Sequence, residues 1–149
     1  MQLKSYTDYS LRVLIYLGLH PERLVTIAEV AEVFHISRNH LMKVAQKLAA
    51  CGYIRSVPGK KGGMTLGHAP EAINLGEVVR RMEGQFNLVE CFDEDRNTCC
   101  LVSVCTLGHL LREAMNQFLG SLDRYTLEDL LKNRSVLASR TALTGPLGG

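Results

Sequence analysis

Between Thr26 and Leu66 the local stop and start signals are so closely spaced that two short helices and a hairpin are almost all the chain can form there. Thr26-Ile-Ala-Glu29 is a capping box, in which a hydroxyl and a carboxylate satisfy each other's backbone donors. It predicts a helix to about Phe34 with Ile27, Val30, Ala31 and Phe34 facing inward. His35-Ile36 makes a tight connection, and Ser37 caps a second helix from Arg38 to Cys51. Ile36, Leu41, Val44, Ala45 and Leu48 form its buried stripe, and Gly52 ends it in the position just past the last turn. Tyr53 to Val57 then reads as a strand and Met64 to Leu66 as its partner. Pro58-Gly-Lys-Lys-Gly-Gly63 is the glycine-rich tip between them.

The helix pair alone is equally compatible with two ordinary core helices, but a hairpin with a basic tip directly behind it makes the winged helix–turn–helix layout. The physical logic is that a helix fits the DNA major groove while a hairpin reaches the backbone or the neighbouring minor groove. Arg38, Asn39, His40 and Lys43 are then the residues expected to face DNA, with Lys60 and Lys61 neutralising phosphates at the wing. Charge distribution agrees: residues 1–67 hold nine Lys/Arg against four Asp/Glu, whereas residues 68–149 hold eight against eleven.

The remaining elements follow from helical periodicity. Ser5 to Leu19 predicts a helix capped by Ser5 or Thr7, with Asp8 in its first turn and Arg12 one turn later, able to pair with it. Asn74 caps a helix from Leu75 to about Glu83. Thr106 to Leu122 carries Leu107, Leu110, Leu111, Ala114, Met115, Phe118, Leu119 and Leu122, more apolar surface than one neighbour readily covers, so this helix is expected to pair with a second copy. Tyr125 to Asn133 predicts a last short helix with Thr126 as its cap, and Ser135 to Gly149 is expected to be frayed or disordered. The fold class is therefore mainly α with a small β hairpin. A winged DNA-binding domain would span residues 1–83, a cysteine-rich loop 84–105, a dimerisation helix with a short C-terminal helix 106–134, and a tail 135–149.

Four of the five cysteines crowd into Cys91 to Cys105. No apolar run approaches the roughly 18 residues a membrane span needs, and the N-terminus lacks the order of a secretion signal. The expectation is a cytoplasmic protein with reduced thiols and no membrane partner, in which clustered cysteines bind metal or do redox chemistry. Structural zinc sites pair cysteines in knuckles such as Cys-x-x-Cys. Here Cys91–Cys99 and Cys99–Cys105 enclose seven and five residues, with the four between Cys100 and Cys105 as the alternative. The adjacent Cys99 and Cys100 seldom both reach one metal, so the wider spacing favours a larger iron–sulfur cluster. Zinc, a thiol redox switch and inert cysteines remain open on spacing alone. No Cys-x-x-Cys motif or base placed beside a cysteine suggests an enzyme, and no catalytic residue is assigned.

Several of these features occur together in one known group. They are Leu3-x-x-Tyr6-Thr-Asp-Tyr-Ser-Leu-Arg-Val13, Ile36-Ser-Arg-Asn-His-Leu41, Gly62-Gly-Met-Thr-Leu66, Glu90-Cys-Phe92 and Cys99-x5-Cys105-x-Leu107. With them the chain, up to about Val136, resembles the NsrR-like branch of the iron–sulfur winged-helix regulators, a family that also includes IscR. The resemblance implies a homodimeric transcription repressor that senses nitric oxide through an iron–sulfur cluster, whose nitrosylation releases a roughly palindromic DNA operator. It implies Cys91, Cys99 and Cys105 as ligands, with a four-iron (4Fe-4S) cluster ahead of a two-iron (2Fe-2S) one, and gives Cys100 no counterpart. The fourth ligand implied is Asp8 from the other subunit, with His109 as second choice after the IscR-like pattern. Arg12 would hold Asp8 when the cluster is lost. The alternatives are an IscR-like regulator of cluster homeostasis or redox stress, and a zinc- or thiol-based transcription switch. One departure is Pro58, where relatives often carry a basic residue before the wing's first glycine.

Overall fold

A computed structural model describes residues 1–142. The first helix, α1 (Ser5–Leu19), is the element against which the others pack: Val13, Leu14, Tyr16 and Leu17 are all buried. Neither Ser5 nor Thr7 caps it. Lys4 holds the N-cap position, and its backbone N–H and the Thr7 hydroxyl meet a carboxylate from elsewhere in the chain. The Lys4 backbone N–H donates to Glu83 Oε2 at 3.1 Å, and the buried Thr7 hydroxyl donates to the same oxygen at 2.5 Å. A negative charge at this end also opposes the helix dipole, so Glu83 does from a distance what a local cap would have done.

Helices α2 (Ile27–Phe34) and α3 (Arg38–Ala50) start where their caps predict. Thr26 Oγ1 accepts the Glu29 N–H at 3.1 Å, and Ser37 Oγ accepts the His40 N–H at 3.2 Å. The Glu29 carboxylate also leaves its own helix start to bind Arg23 and to accept the Tyr16 hydroxyl at 2.7 Å. The Arg23 guanidinium holds that carboxyl below the usual carboxylate range. His35 turns the chain between the helices in the left-handed region, at φ 54°. Strands β1 (Ile54–Val57) and β2 (Gly63–Leu66) pair antiparallel, Ile54 opposite Leu66 and Val57 opposite Gly63. Tyr53 lies just outside the strand, its N–H closing on the carbonyl of Leu48. Val25 bonds Met64 in both directions, at 3.0 and 2.7 Å, which sews the root of the wing to the body.

Helix α4 (Leu75–Glu83), capped by Asn74 as expected, packs between α1 and α5 (Thr106–Leu122). Met115 and Leu119 of α5 bury themselves against Val79, joined by Phe86, Leu88, Phe118 and Leu122. Arg80 Nη2 donates to Asp123 Oδ2 at 2.7 Å and fixes the far end of α5. Helix α6 (Leu127–Leu130) is shorter than the periodicity suggests, although its capping box between Thr126 and Asp129 is complete. Leu127 and Leu131 enter the main core beside α1.

The segment after Ser135 departs from expectation. Helix α7 (Arg134–Thr141) forms where composition predicts a frayed tail; the rest of that tail, 143–149, lies outside the described residues. It buries no residue and so has no apolar stripe to read. Its first residue holds it instead: Arg134 Nη1 donates to the Gly18 carbonyl at 2.7 Å and Nη2 to Glu128 at 3.0 Å. Among the described residues no helix is long and apolar enough to cross a membrane.

Glu83 is the contact this fold can least spare. Glu83→Ala leaves the start of α1 and the buried Thr7 hydroxyl without their acceptor, and should lower the unfolding free energy by about 2 kcal/mol. Urea denaturation followed by circular dichroism measures it; an unchanged midpoint would show that water serves those donors equally well.

Candidate functional site

Two surfaces carry the residues singled out from the sequence. On the first, Arg38, Asn39, His40 and Lys43 are all exposed along α3, and Lys60 and Lys61 are exposed at the tip of the wing. α1 holds this helix from the side: the Tyr6 hydroxyl donates to the Lys43 carbonyl at 2.6 Å, and the His40 ring stacks on Tyr9 with centroids 6.3 Å apart. Between α3 and the wing runs a groove of about 630 Å³ with Met42, Gln46, Ser56, Val57 and Lys60 on its walls and no acidic residue among those lining it. Reading the second helix by its charge misses Met42 and Gln46. With Arg38 they repeat every fourth residue, the spacing of one helical face, and both are exposed. Met42 is an apolar side chain left half in solvent on that face.

The second surface is the cysteine stretch. A single 3-10 turn, Glu90–Phe92, presents Cys91; an irregular loop carries Cys99; and Cys105 is the N-cap of α5. Cys91, Cys99 and Cys105 line one cavity of about 220 Å³, walled by Val89, Leu101, Leu107 and Leu111. Cys100 is exposed and takes no part in it. The Gly108 N–H donates to Cys105 Sγ at 3.4 Å, a hydrogen bond that suits an anionic sulfur ligand at the positive end of a helix. Glu90, on the same wall, accepts the Thr98 N–H at 2.5 Å and its hydroxyl at 2.6 Å, and the Thr98 bonds hold its carboxyl below the ordinary range. The Arg112 guanidinium lies 4.6 Å over the Phe92 ring and braces the loop on α5.

Among the described residues no three His, Cys, Asp or Glu side chains converge tightly enough to hold one metal ion. Three thiols around a cavity with aliphatic walls form instead a donor set that fits a soft, multi-atom group such as an iron–sulfur cluster. Neither candidate for a fourth ligand lines the cavity. Asp8 is gripped by Arg12, with Nη2–Oδ2 at 2.7 Å and Nε–Oδ1 at 3.2 Å, on a half-exposed face of α1. His109 is exposed on α5.

Around the cysteines the surface is apolar. Leu101, Val102, Val104, Leu107 and Leu110 are all about half exposed or more, Val104 reaching 77%. The stripe read on α5 thus divides: Met115, Phe118, Leu119 and Leu122 pack within the chain, while Leu107 and Leu110 remain open. The open apolar patch thus lies directly beside the cysteine cavity.

Comparison with known proteins identifies the family of the chain. Residues 3–133 match the family model Rrf2, described as an iron-dependent transcriptional regulator. The chain is 52% identical over 135 residues to the HTH-type transcriptional regulator NsrR of Bacillus subtilis (strain 168), covering 90% of this chain and 92% of that one. Among solved structures, CymR, the global cysteine regulator of B. subtilis, aligns with a TM-score of 0.64 at 28% identity, over 87% of this chain and 95% of that one. IscR of T. potens shares the fold, with a TM-score of 0.71 at 22% identity over 89% of this chain and 88% of that one.

The wing lysines allow a measurement that needs no known operator. On DNA selected from a random pool by the protein, Lys60→Ala and Lys61→Ala should weaken binding for every sequence alike. If each lysine neutralises one phosphate, each change should reduce the slope of log affinity against log salt by roughly 0.9. An unchanged slope in the double variant would remove the wing from the interface.

Proposed function

The chain belongs to the Rrf2 family of iron-dependent transcriptional regulators, and from that premise we propose that it is a homodimeric repressor which senses nitric oxide through an iron–sulfur cluster. It is a transcriptional regulator and not an enzyme. The observation that carries the proposal is the sorting of the cysteines: Cys91, Cys99 and Cys105 surround one cavity, and Cys100, their immediate neighbour, is left outside. A bound cluster, four-iron in preference to two-iron, supplies iron that reacts with nitric oxide. Such a protein works in the cytoplasm, where its thiols stay reduced.

The chain's own residues provide the rest. The three thiols hold one side of the cluster, and the partner subunit's Asp8 completes the set. Reaching across requires Asp8 to leave Arg12, and Arg12 recaptures it when the cluster is lost; their pairing in the single chain supports that exchange. Asp8 sits on α1, which is bonded to α3 through Tyr6 and Lys43. Where Asp8 is held therefore bears on where the recognition helix stands. Arg38, Asn39, His40 and Lys43 enter the major groove, with Lys60 and Lys61 at the backbone or minor groove. Two such units related by a dyad read a roughly palindromic operator. The open leucines of α5 and the cysteine loop support pairing of the two chains.

An anaerobically reconstituted sample tests the whole reading. It should be coloured, dimeric and bound to its selected DNA, and should release that DNA when nitric oxide is added. Colourless zinc-bound protein, or DNA affinity indifferent to nitric oxide, would overturn it. Asp8→Ala should alter the cluster's absorption spectrum, while His109→Ala and Cys100→Ser leave it unchanged; the opposite result for Asp8 and His109 would favour the IscR-like ligand set.

A further inference from the structure

Glu90 has no part in the roles above, although it lines the cysteine cavity. Its Oε1 accepts both the backbone N–H and the hydroxyl of Thr98, at 2.5 and 2.6 Å. Glu90 immediately precedes Cys91, and Thr98 immediately precedes Cys99. The two hydrogen bonds therefore join the residues directly ahead of two of the three thiols. Between them the hydrogen bonds are local: the Asp95 N–H to Asp93 Oδ1 at 3.2 Å, the Arg96 N–H to the Asp93 carbonyl at 3.2 Å, and the Cys99 N–H to Asn97 Oδ1 at 3.0 Å. Arg112 over the Phe92 ring braces the Cys91 side of the loop but not the Cys99 side. No residue from Glu90 to Cys105 is buried, so core packing does not keep this loop closed. A loop free to open would have to be closed by its ligand, at an entropic cost. Hydrogen bonds to a carboxylate are the strong ones available to prevent that.

We propose that Glu90 is a positioning residue whose clasp on Thr98 holds Cys91 and Cys99 at cluster spacing before any iron arrives. The inference rests on the reading of those cysteines as cluster ligands. Electrostatics gives it a distinguishing sign. Thiolates around an iron–sulfur core make an anionic site, which a nearby carboxylate disfavours through charge alone. Glu94 serves as that baseline: it is exposed and makes no hydrogen bond or ion pair among the described residues. Removing the charge at Glu94 should leave loading unchanged or improve it. Removing Glu90 should impair it, because Glu90 acts by what it binds. Glu90→Gln keeps an acceptor oxygen for both Thr98 donors and is the rescuing variant.

The experiment uses the full chain, loaded anaerobically with iron and sulfide and then challenged with a chelator, with iron content and absorbance followed in time. In parallel, cluster-free protein carrying Cys51→Ser and Cys100→Ser is treated with a short bifunctional thiol reagent, and mass spectrometry reads the rate of Cys91–Cys99 cross-linking. Glu90→Ala should speed iron loss and slow cross-linking, each about three- to tenfold. Thr98→Val should shift both in the same direction, and Glu90→Gln should stay near wild type. Wild-type behaviour of Glu90→Ala in both measurements, or an equal defect in Glu94→Ala, overturns the clasp. Wild-type protein that takes up no iron and sulfide overturns the cluster reading instead, and the cross-linking rates still decide the clasp.

Discussion

The carboxylate of Glu83, buried at the end of α4 and closed over the first turn of α1, is the contact on which the arrangement of this chain depends. It satisfies a main-chain donor and a buried hydroxyl at a helix start that has no cap of its own. It does so at the last residue before Gly84, where the backbone turns at φ 76° toward the cysteine region. The same corner receives Lys47 from α3, whose ammonium donates to the Met82 carbonyl at 3.2 Å. Three elements thus meet within two residues: the helix bearing Asp8, the helix with the exposed basic face, and the chain leading to the cysteines. An acceptor buried at such a junction is costly to leave unpaired, which gives the corner a defined geometry.

That junction links two distant surfaces through one helix. The cysteine cavity and the exposed face of α3 share no residue. What they share is α1, which packs on α3 and α4 and carries Asp8 and Arg12 on its half-exposed side. A pull on Asp8 is a pull on a helix already bonded to α3 through Tyr6 and Lys43. The distribution of apolar surface points the same way. α5 spends one part of its stripe on α4 and leaves Leu107 and Leu110 open beside the cysteines, so the cysteine cavity and the open apolar surface lie in one region.

Much of this fold is legible in the sequence. Helix starts at Thr26, Ser37, Asn74 and Thr126, the stop at Gly52 and the hairpin between β1 and β2 are local events, fixed by hydrogen bonds among residues three or four apart or by a glycine's freedom at φ 81°. The charge of the wing and of the second helix is visible in the same way, because exposed lysines and arginines keep their character wherever the chain goes. The helix at Arg134–Thr141 is not legible, since one arginine on the Gly18 carbonyl holds it and no periodic stripe announces it.

The sequence by itself determined the inventory: a capped helix pair, a basic hairpin, a cluster of thiols and an over-apolar helix, each carried by short-range spacing. Tertiary structure alone decided which thiols face one cavity, that Thr7 binds Glu83 instead of capping its own helix, and that Glu90 closes on Thr98. Those outcomes depend on residues far apart in the chain, or on which way a loop turns. Spacing along the chain determines which contacts can form, and packing selects among them, because a buried or strongly bonded polar group must find its partner in space.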